Sequence, residues 1–78
     1  MITAITFITD VRPGEPDILS ELAHKELIIT DIDSVEVTRI SPPPSGWTHE
    51  LLEQQAEHEH GGPLDAYLGS DWVGSSEV

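Results

Sequence analysis

The chain begins with a stretch whose hydrophobic and polar positions are typical of a β-strand. Residues 2–11, ITAITFITDV, are rich in isoleucine, threonine, phenylalanine and valine, and contain neither glycine nor proline. Both faces of such a strand are partly apolar, which predicts that it is covered on both sides or lies at an interface. With alternating side chains, one face carries Thr3, Ile5, Phe7, Thr9 and Val11, and the other carries Ile2, Ala4, Thr6 and Ile8.

A helix and a second β segment are predicted next. The segment RPGEP at 12–16 interrupts the strand, and residues 16–25 then place apolar side chains at helical spacing. Residues 27–40, LIITDIDSVEVTRI, predict either one long bent strand or two short strands that turn near Asp33–Ser34. Three consecutive prolines at 42–44 end the sheet, because proline donates no ladder hydrogen bond.

The strongest local signals predict a second helix, His49–His60. Thr48 is a good N-cap, and Trp47 before it lies where it can pack on Leu52 as a hydrophobic staple. Gly61 provides the left-handed residue that commonly ends a helix.

Together these elements predict an α+β fold: a small two- or three-stranded sheet with two helices, in the order β-α-β-α. The first two strands can flank the first helix as a right-handed parallel crossover. After the second helix we expect one helical turn at 64–68. Residues 1–73 then form a single compact domain, and residues 74–78 form a flexible C-terminal tail. The side chains expected to pack back on the domain are Tyr67, Leu68, Trp72 and Val73.

Charge is the strongest feature of the composition. Fifteen acidic residues oppose three basic ones, for a formal charge of −12, and no lysine or arginine follows Arg39. Direct binding of nucleic acid or of an anionic membrane is therefore not expected, because both require cations that neutralise phosphates. The natural partner is a basic protein, and a nucleic-acid-binding one fits best. The alternative is that the acidity only keeps a small protein soluble.

The sequence also bears on the compartment. Without cysteine, a disulfide framework and thiol chemistry are excluded. The apolar runs are far shorter than the roughly 20 residues that span a bilayer, and the N-terminus lacks the features of a signal peptide. We expect a cytoplasmic protein.

The histidines and glutamates of the predicted second helix raise the question of a metal site. His49 and His60 lie on one side of that helix but about 16 Å apart along its axis, so they cannot share one ion. Pairs such as His49–Glu53 or Glu57–His60 lack further ligands, and HELLE has glutamate where the motif H-E-x-x-H has its second histidine. No phosphate-binding loop and no G-x-S-x-G motif is present either. We therefore expect no metal, no cofactor and no enzymatic activity.

The acidic residues themselves are the best candidate site. Glu50, Glu53 and Glu57 would repeat along the second helix, as phosphates repeat along a nucleic acid. The aromatic residues Trp47, Tyr67 and Trp72 can act as anchors for a partner. The alternatives are a staple role for Trp47, core closure for Trp72 and a solvated surface for the acids. The predicted partner-binding residues are Glu50, Glu53, Glu57, Glu59, Asp65, Asp71, Trp47 and Tyr67.

These features favour a small acidic protein that binds and inhibits a nucleic-acid-handling protein. Nucleic-acid mimics and the anti-defence inhibitors of phages, including those of the anti-CRISPR type, are similar in size and charge, a likeness of composition that rests on no motif. One alternative is a non-enzymatic accessory or structural subunit of a larger assembly or a homodimer, joined through the first strand and the apolar residues near the C-terminus. Another is a metal-binding regulator centred on His49, Glu53, Glu57, His58 and His60.

Overall fold

The computed structural model describes residues 2–9, 14 and 19–76. Within this part of the chain, six strands and two short helices follow one another in the order β-α-β-β-α-β-β-β. The strands are β1 (Ile2–Phe7), β2 (Leu27–Thr30), β3 (Glu36–Ile40), β4 (Glu57–Glu59), β5 (Asp65–Leu68) and β6 (Asp71–Ser76). The helices are α1 (Leu19–Leu22) and α2 (His49–Glu53).

All six strands join one antiparallel sheet that is curled into a half-barrel, in the spatial order β3-β2-β5-β6-β1-β4. Two of the pairs, β2–β3 and β5–β6, join strands that follow each other along the chain. The other pairs join distant segments: β5 pairs with β2, and β1 lies between β6 and β4. The sheet is therefore held together mainly by contacts between distant parts of the sequence.

One face of the sheet, the inner face, is buried and forms the core. β1, β2 and β5 each alternate between buried and more exposed positions, as expected for strands with one face on a core. The helices cover this face, because residues of α1 and α2 belong to the same buried cluster as the inner residues of the strands. The cluster contains Ile5, Phe7, Leu19, Leu22, Leu27, Ile29, Trp47, Leu52, Leu64, Ala66, Leu68 and Val73.

The turn between β2 and β3 is held by the side chain of Asp31. Its Oδ1 accepts hydrogen bonds from the backbone N of Asp33 at 2.9 Å and of Val35 at 3.0 Å, a common way for a short polar side chain to stabilise a turn. Ser34 within it has a φ of 62°, in the left-handed region. Of the two alternatives for residues 27–40, two short strands joined by a turn is confirmed.

The predicted fold class is wrong. Instead of a two- or three-stranded α+β sheet in β-α-β-α order, the described residues form a six-stranded sheet with helices of only four and five residues. No parallel crossover joins β1 to β2, since β6 and β5 lie between them and every pair is antiparallel. The physical reason is that the chain after residue 56 pairs with β1 and β2, which local patterns do not reveal. The predicted start of the first helix at 16–18 lies outside the described residues.

The predicted helix His49–His60 begins as expected but ends early. Thr48 is its N-cap, as predicted, and its side chain accepts a backbone hydrogen bond at 3.2 Å. After Glu53 the chain leaves the helix and forms β4. The carbonyl of Ala56 accepts a hydrogen bond from the backbone N of Ile5 at 2.9 Å, and β4 then continues the pairing with β1. This pairing satisfies backbone groups on one side of β1, and it outweighs the local preference of residues 54–60 for a helix.

The C-terminal segment forms strands where a helical turn and a tail were predicted. Residues 64–68 lie in or next to β5, and residues 74–76, assigned to a flexible tail beyond residue 73, complete β6. β6 pairs with β5 on one side and β1 on the other, which gives it ladder hydrogen bonds on both sides. Of the four side chains predicted to pack back on the domain, Leu68 and Val73 lie in the core and Tyr67 is partly buried, whereas Trp72 is 45% exposed. Residues 77 and 78 of the predicted tail lie outside the described residues.

Candidate functional site on the outer face of the sheet

The outer face of the sheet, opposite the core, carries a row of large side chains across neighbouring strands. Trp72 on β6 is the register partner of Tyr67 on β5, and Tyr67 is also the partner of Ile28 on β2. Ile28 in turn opposes Arg39 on β3. Directly opposed residues of antiparallel strands have Cβ atoms about 5 Å apart, so these side chains lie side by side. We call Trp72, Tyr67 and Ile28 the central row.

A β-bulge in β6 places Trp72 on this face. Gly74 opposes the buried Ala66, but the next register pair is Trp72 with Tyr67, so Val73 is the extra residue. Without the bulge, Trp72 and Gly74 would point to the same face, because side chains alternate with a period of two. The bulge turns Val73 into the core and Trp72 outward, where it is 45% exposed.

The apolar surface continues from the central row onto the end of β1. The backbone N of Ile8, just beyond β1, donates a hydrogen bond to the carbonyl of Val73 at 2.8 Å, and the Ile8 side chain is 50% exposed. Tyr67 and Ile28 are partly buried by their neighbours. Contiguous exposed apolar side chains of this kind, unlike isolated ones, are typical of interaction sites.

Acidic side chains also lie on this face, one beside the central row and two on the edge strand β4. Asp65 lies two residues before Tyr67 on β5, so both side chains point to the same side of the sheet. Glu57 and Glu59 on β4 are the register partners of exposed outer residues of β1. The outer face therefore combines apolar and aromatic side chains with carboxylates at its centre and along β4.

Arg39 is the only arginine or lysine in the six described strands, and its charge is already balanced. Its Nη1 lies 3.2 Å from Glu26 Oε1, and its Nη2 lies 2.7 Å from Glu36 Oε1. The hydrogen bond and charge of Glu36, followed by those of Glu26, raise the pKa of Arg39 above its ordinary value. The described strands therefore offer no cation that is free to neutralise the other carboxylates of the outer face.

Trp47, predicted as an anchor for a partner, is buried in the fold. Its side chain is 6% exposed, and its Nε1 donates a hydrogen bond to the carbonyl of Lys25 at 3.0 Å. Its backbone N donates to the carbonyl of Ala23 at 2.7 Å. Trp47 therefore joins the segment before α2 to the chain that follows α1, and its ring is not accessible to a partner.

The structure separates the predicted acidic residues into two surfaces. The two glutamates of α2 lie on the far side of the sheet from the outer face, because α2 covers the inner face through the buried Leu52. Asp71 is exposed at the turn between β5 and β6. The single acidic helix expected from the sequence does not form. The predicted residues on the outer face are Glu57, Glu59, Asp65 and Tyr67, and those on α2 are Glu50 and Glu53.

Sequence reasoning considered Trp72 either as an anchor for a partner or as part of the core and left it out of the predicted site, and it did not consider Ile28 and Ile8. One local signal was present: Leu68 pairs with Asp71 across the two residues Gly69 and Ser70, and Gly69 has a φ of 66°. A glycine at the first position of a two-residue connection is typical of a hairpin turn. That signal predicts that Tyr67 and Trp72 lie near each other, although it does not predict the bulge.

At the start of α2, an imidazole contacts a hydroxyl through one ring nitrogen and a carboxylate through the other. Thr9 Oγ1 lies 2.9 Å from His49 Nδ1, and His49 Nε2 lies 2.8 Å from Glu53 Oε1. When the ring is neutral and Nε2–H donates to the carboxylate, Nδ1 accepts from the threonine hydroxyl. Thr9 is 1% exposed, so its hydroxyl does not face solvent. These hydrogen bonds instead tie α2 to the segment that follows β1.

The structure keeps one of the pairs considered for a metal site together and separates the other. His49 and Glu53 contact each other, whereas Glu57 and His60 no longer share a helix. In the part of the chain that the structure describes, no three histidine, aspartate or glutamate side chains are grouped so as to hold a metal ion. No helix among these residues has both the length and the apolar character needed to cross a membrane.

Thr9→Val is expected to lower the free energy of unfolding by about 1 kcal/mol. Valine keeps the shape of threonine but removes the hydroxyl, so His49 Nδ1 loses its partner. The loss is modest because the His49 side chain is partly exposed and water can replace the bond. Urea denaturation measures the change. Glu53→Gln, which retains an oxygen that accepts from His49, is expected to stay within about 0.5 kcal/mol of the wild type, and a larger loss in this control than in Thr9→Val would contradict the assigned role.

Comparison of the chain with protein-family models, with curated proteins and with solved structures finds no match.

Proposed function

We propose that this protein is a non-catalytic, acidic binding protein whose outer sheet face binds and inhibits a basic, nucleic-acid-handling protein. The observation that carries the proposal is a single face on which exposed apolar and aromatic side chains lie among carboxylates. The formal charge of −12 adds long-range attraction toward a basic partner and speeds their encounter.

The apolar and acidic parts of the outer face have different roles in this proposal. Aromatic and apolar side chains supply the contacts that contribute most to affinity at protein interfaces. Carboxylates steer a basic partner into place and exclude acidic ones. Glu57 and Glu59, two residues apart on β4, are separated by about 6.6 Å along the strand, close to two phosphate steps of a nucleic acid strand. This spacing favours a partner whose cationic groove normally binds a phosphate backbone.

A second candidate function is that of an accessory subunit or homodimer subunit. It is favoured by exposed apolar residues around the β2–β3 hairpin, where Ile32 is 74% exposed and Val35 and Val37 are also exposed. β1 fits this role less well than the sequence predicted, since it is paired with β4 on one side and β6 on the other. An apolar interface responds little to salt, whereas exposed charges are screened by it. Ionic strength therefore separates the two functions.

Neutralising three carboxylates of the outer face is expected to abolish binding of the partner. The variant is Glu57→Gln/Glu59→Gln/Asp65→Asn. The matched control, Glu21→Gln/Glu50→Gln/Glu53→Gln, removes the same charge from α1 and α2, which cover the inner face. Each protein is used as bait for affinity capture from a lysate of the source organism over a series of salt concentrations, and captured proteins are identified by mass spectrometry.

The proposed function predicts capture of a nucleic-acid-binding protein that is lost at high salt and with the outer-face variant but is retained with the control. Equal capture by the two variants would contradict the outer face as the binding surface. Capture that survives both high salt and the outer-face variant would instead support the accessory subunit.

A further inference from the structure

We infer that Trp72 and Tyr67, together with Asp65, form a binding position for a guanidinium group, so that the partner presents arginine rather than lysine to the outer face. This inference rests on the proposed function, because it names the chemistry by which that face would recognise a basic protein.

The aromatic pair provides the flat apolar surface that a guanidinium requires. Trp72 and Tyr67 are direct register partners, and the bulge at Val73 leaves the indole half exposed. A guanidinium stacks on an aromatic face, and it is more weakly hydrated than the ammonium of lysine. Moving a guanidinium from water onto this aromatic surface therefore costs less than moving an ammonium, which favours arginine over lysine.

Asp65 provides negative charge close to the aromatic pair. Asp65 lies on the same face of β5 as Tyr67, about 6.6 Å along the strand. A carboxylate can accept two parallel N–H bonds from the planar guanidinium, a geometry that an ammonium cannot match. The aromatic rings and the Asp65 carboxylate therefore both favour arginine over lysine.

The other end of the central row holds a guanidinium of the chain itself. Arg39, next to Ile28, donates from Nε and Nη2 to Glu36 at 3.1 and 2.7 Å and from Nη1 to Glu26 at 3.2 Å. At the Trp72 end, the Asp65 carboxylate lies beside the row, and the adjoining described strands β1, β5 and β6 contain no arginine or lysine, while the side chain of Lys25 lies beside Gly69 in the turn between β5 and β6. At the Ile28 end, a guanidinium lies next to the central row and is paired with carboxylates. An arginine of a partner would create the same arrangement at the Trp72 end.

Charge decides between the occupants that an apolar face can accept. A second copy would bring the same carboxylates to the interface, and the −12 charge on each chain opposes that association. A purely apolar partner would take the carboxylate of Asp65 out of water without pairing it. A segment that carries arginine can stack its guanidinium on the aromatic side chains and pair it with the Asp65 carboxylate.

An arginine peptide is expected to bind the protein about 3- to 30-fold more tightly than a lysine peptide of equal length and charge, the range that a cation–π contact contributes. Both peptides are titrated into the full chain at low salt by isothermal titration calorimetry. Trp72→Ala is expected to weaken binding of the arginine peptide more than that of the lysine peptide, so that the ratio of the two Kd values approaches one, and Trp72→Phe is expected to retain a smaller preference. Circular dichroism establishes that each variant is folded.

Equal Kd values for the two peptides, or a preference that survives Trp72→Ala, would overturn the guanidinium position. The proposed function would still stand in that case if both peptides bind and both are lost with the Glu57→Gln/Glu59→Gln/Asp65→Asn variant. If neither peptide binds at low salt, both the guanidinium position and the proposed function are overturned.

Discussion

Replacement of Gly74 by alanine is expected to lower the free energy of unfolding by about 3 kcal/mol or more. A Cβ at this position would lie 2.6 Å from the carbonyl oxygen of Thr6 and 3.0 Å from the Cα of Phe7. Both are backbone atoms of β1, so no change of side-chain rotamer relieves the overlap and the two strands must move apart. Because β6 connects β1 and β4 to the rest of the sheet, the loss affects the whole structure.

Urea denaturation followed by circular dichroism measures this loss. Gly62→Ala is the matched control, because a Cβ at Gly62 would have no atom within 4 Å. Its stability is expected to stay within about 0.5 kcal/mol of the wild type. Equal stability of the two alanine variants would show that β1 and β6 do not approach each other as closely as described.

Trp47→Ala is expected to lower the free energy of unfolding by about 3–5 kcal/mol. The change leaves a cavity in the core and removes the indole N–H that the carbonyl of Lys25 accepts. At the usual stability per residue, a chain of 78 residues has a total of roughly 4–12 kcal/mol. The variant is therefore expected to be close to unfolding at room temperature.

The two tryptophans provide their own control for this prediction. Trp72→Ala removes the same kind of side chain from an exposed position on the outer face. It is expected to lower the free energy of unfolding by less than about 1 kcal/mol. Thermal and urea denaturation of both variants give the comparison. Similar losses for Trp47→Ala and Trp72→Ala would contradict the placement of Trp47 in the core and Trp72 on the surface.

Features determined by residues close together in the sequence were predictable. The threonine cap of α2 was predicted correctly, because a cap depends on a side chain and a backbone N–H only three residues away. The composition of residues 2–11 indicated β1, and the turn held by Asp31 was one of two alternatives considered for residues 27–40. Each of these features depends on local chemistry.

Features that depend on pairing between distant segments were not predictable in the same way. Residues 57–59 carry a pattern compatible with a helix, yet His58 is the register partner of Thr3, at the opposite end of the chain. Tyr67 likewise pairs with Ile28, almost forty residues earlier. No propensity or periodicity within either segment specifies which strand it will join, so the sheet was predicted to be too small.

The candidate site was likewise predictable in its composition but not in its arrangement, which depends on pairing between distant segments. Composition predicted that acidic residues would dominate the surface, and Glu57, Glu59, Asp65 and Tyr67 do lie on the proposed binding face. Their arrangement depends on a six-stranded sheet, and the contribution of Trp72 depends on one extra residue in β6. A bulge of one residue reverses which face a side chain occupies, and nothing in the local pattern specified it.

The half-barrel is open, and this has a consequence for its behaviour at high concentration. β3 and β4 are the outermost strands and pair on one side only within the described sheet. An unpaired strand edge is a template to which other copies can add their own strands, and charged side chains on the edge oppose such aggregation. Glu57 and Glu59 place negative charge on the β4 edge, whereas Glu36 on the β3 edge is paired with Arg39 of the same strand. The negative charge on β4 therefore opposes aggregation, because two copies repel each other when one adds a strand to this edge of the other.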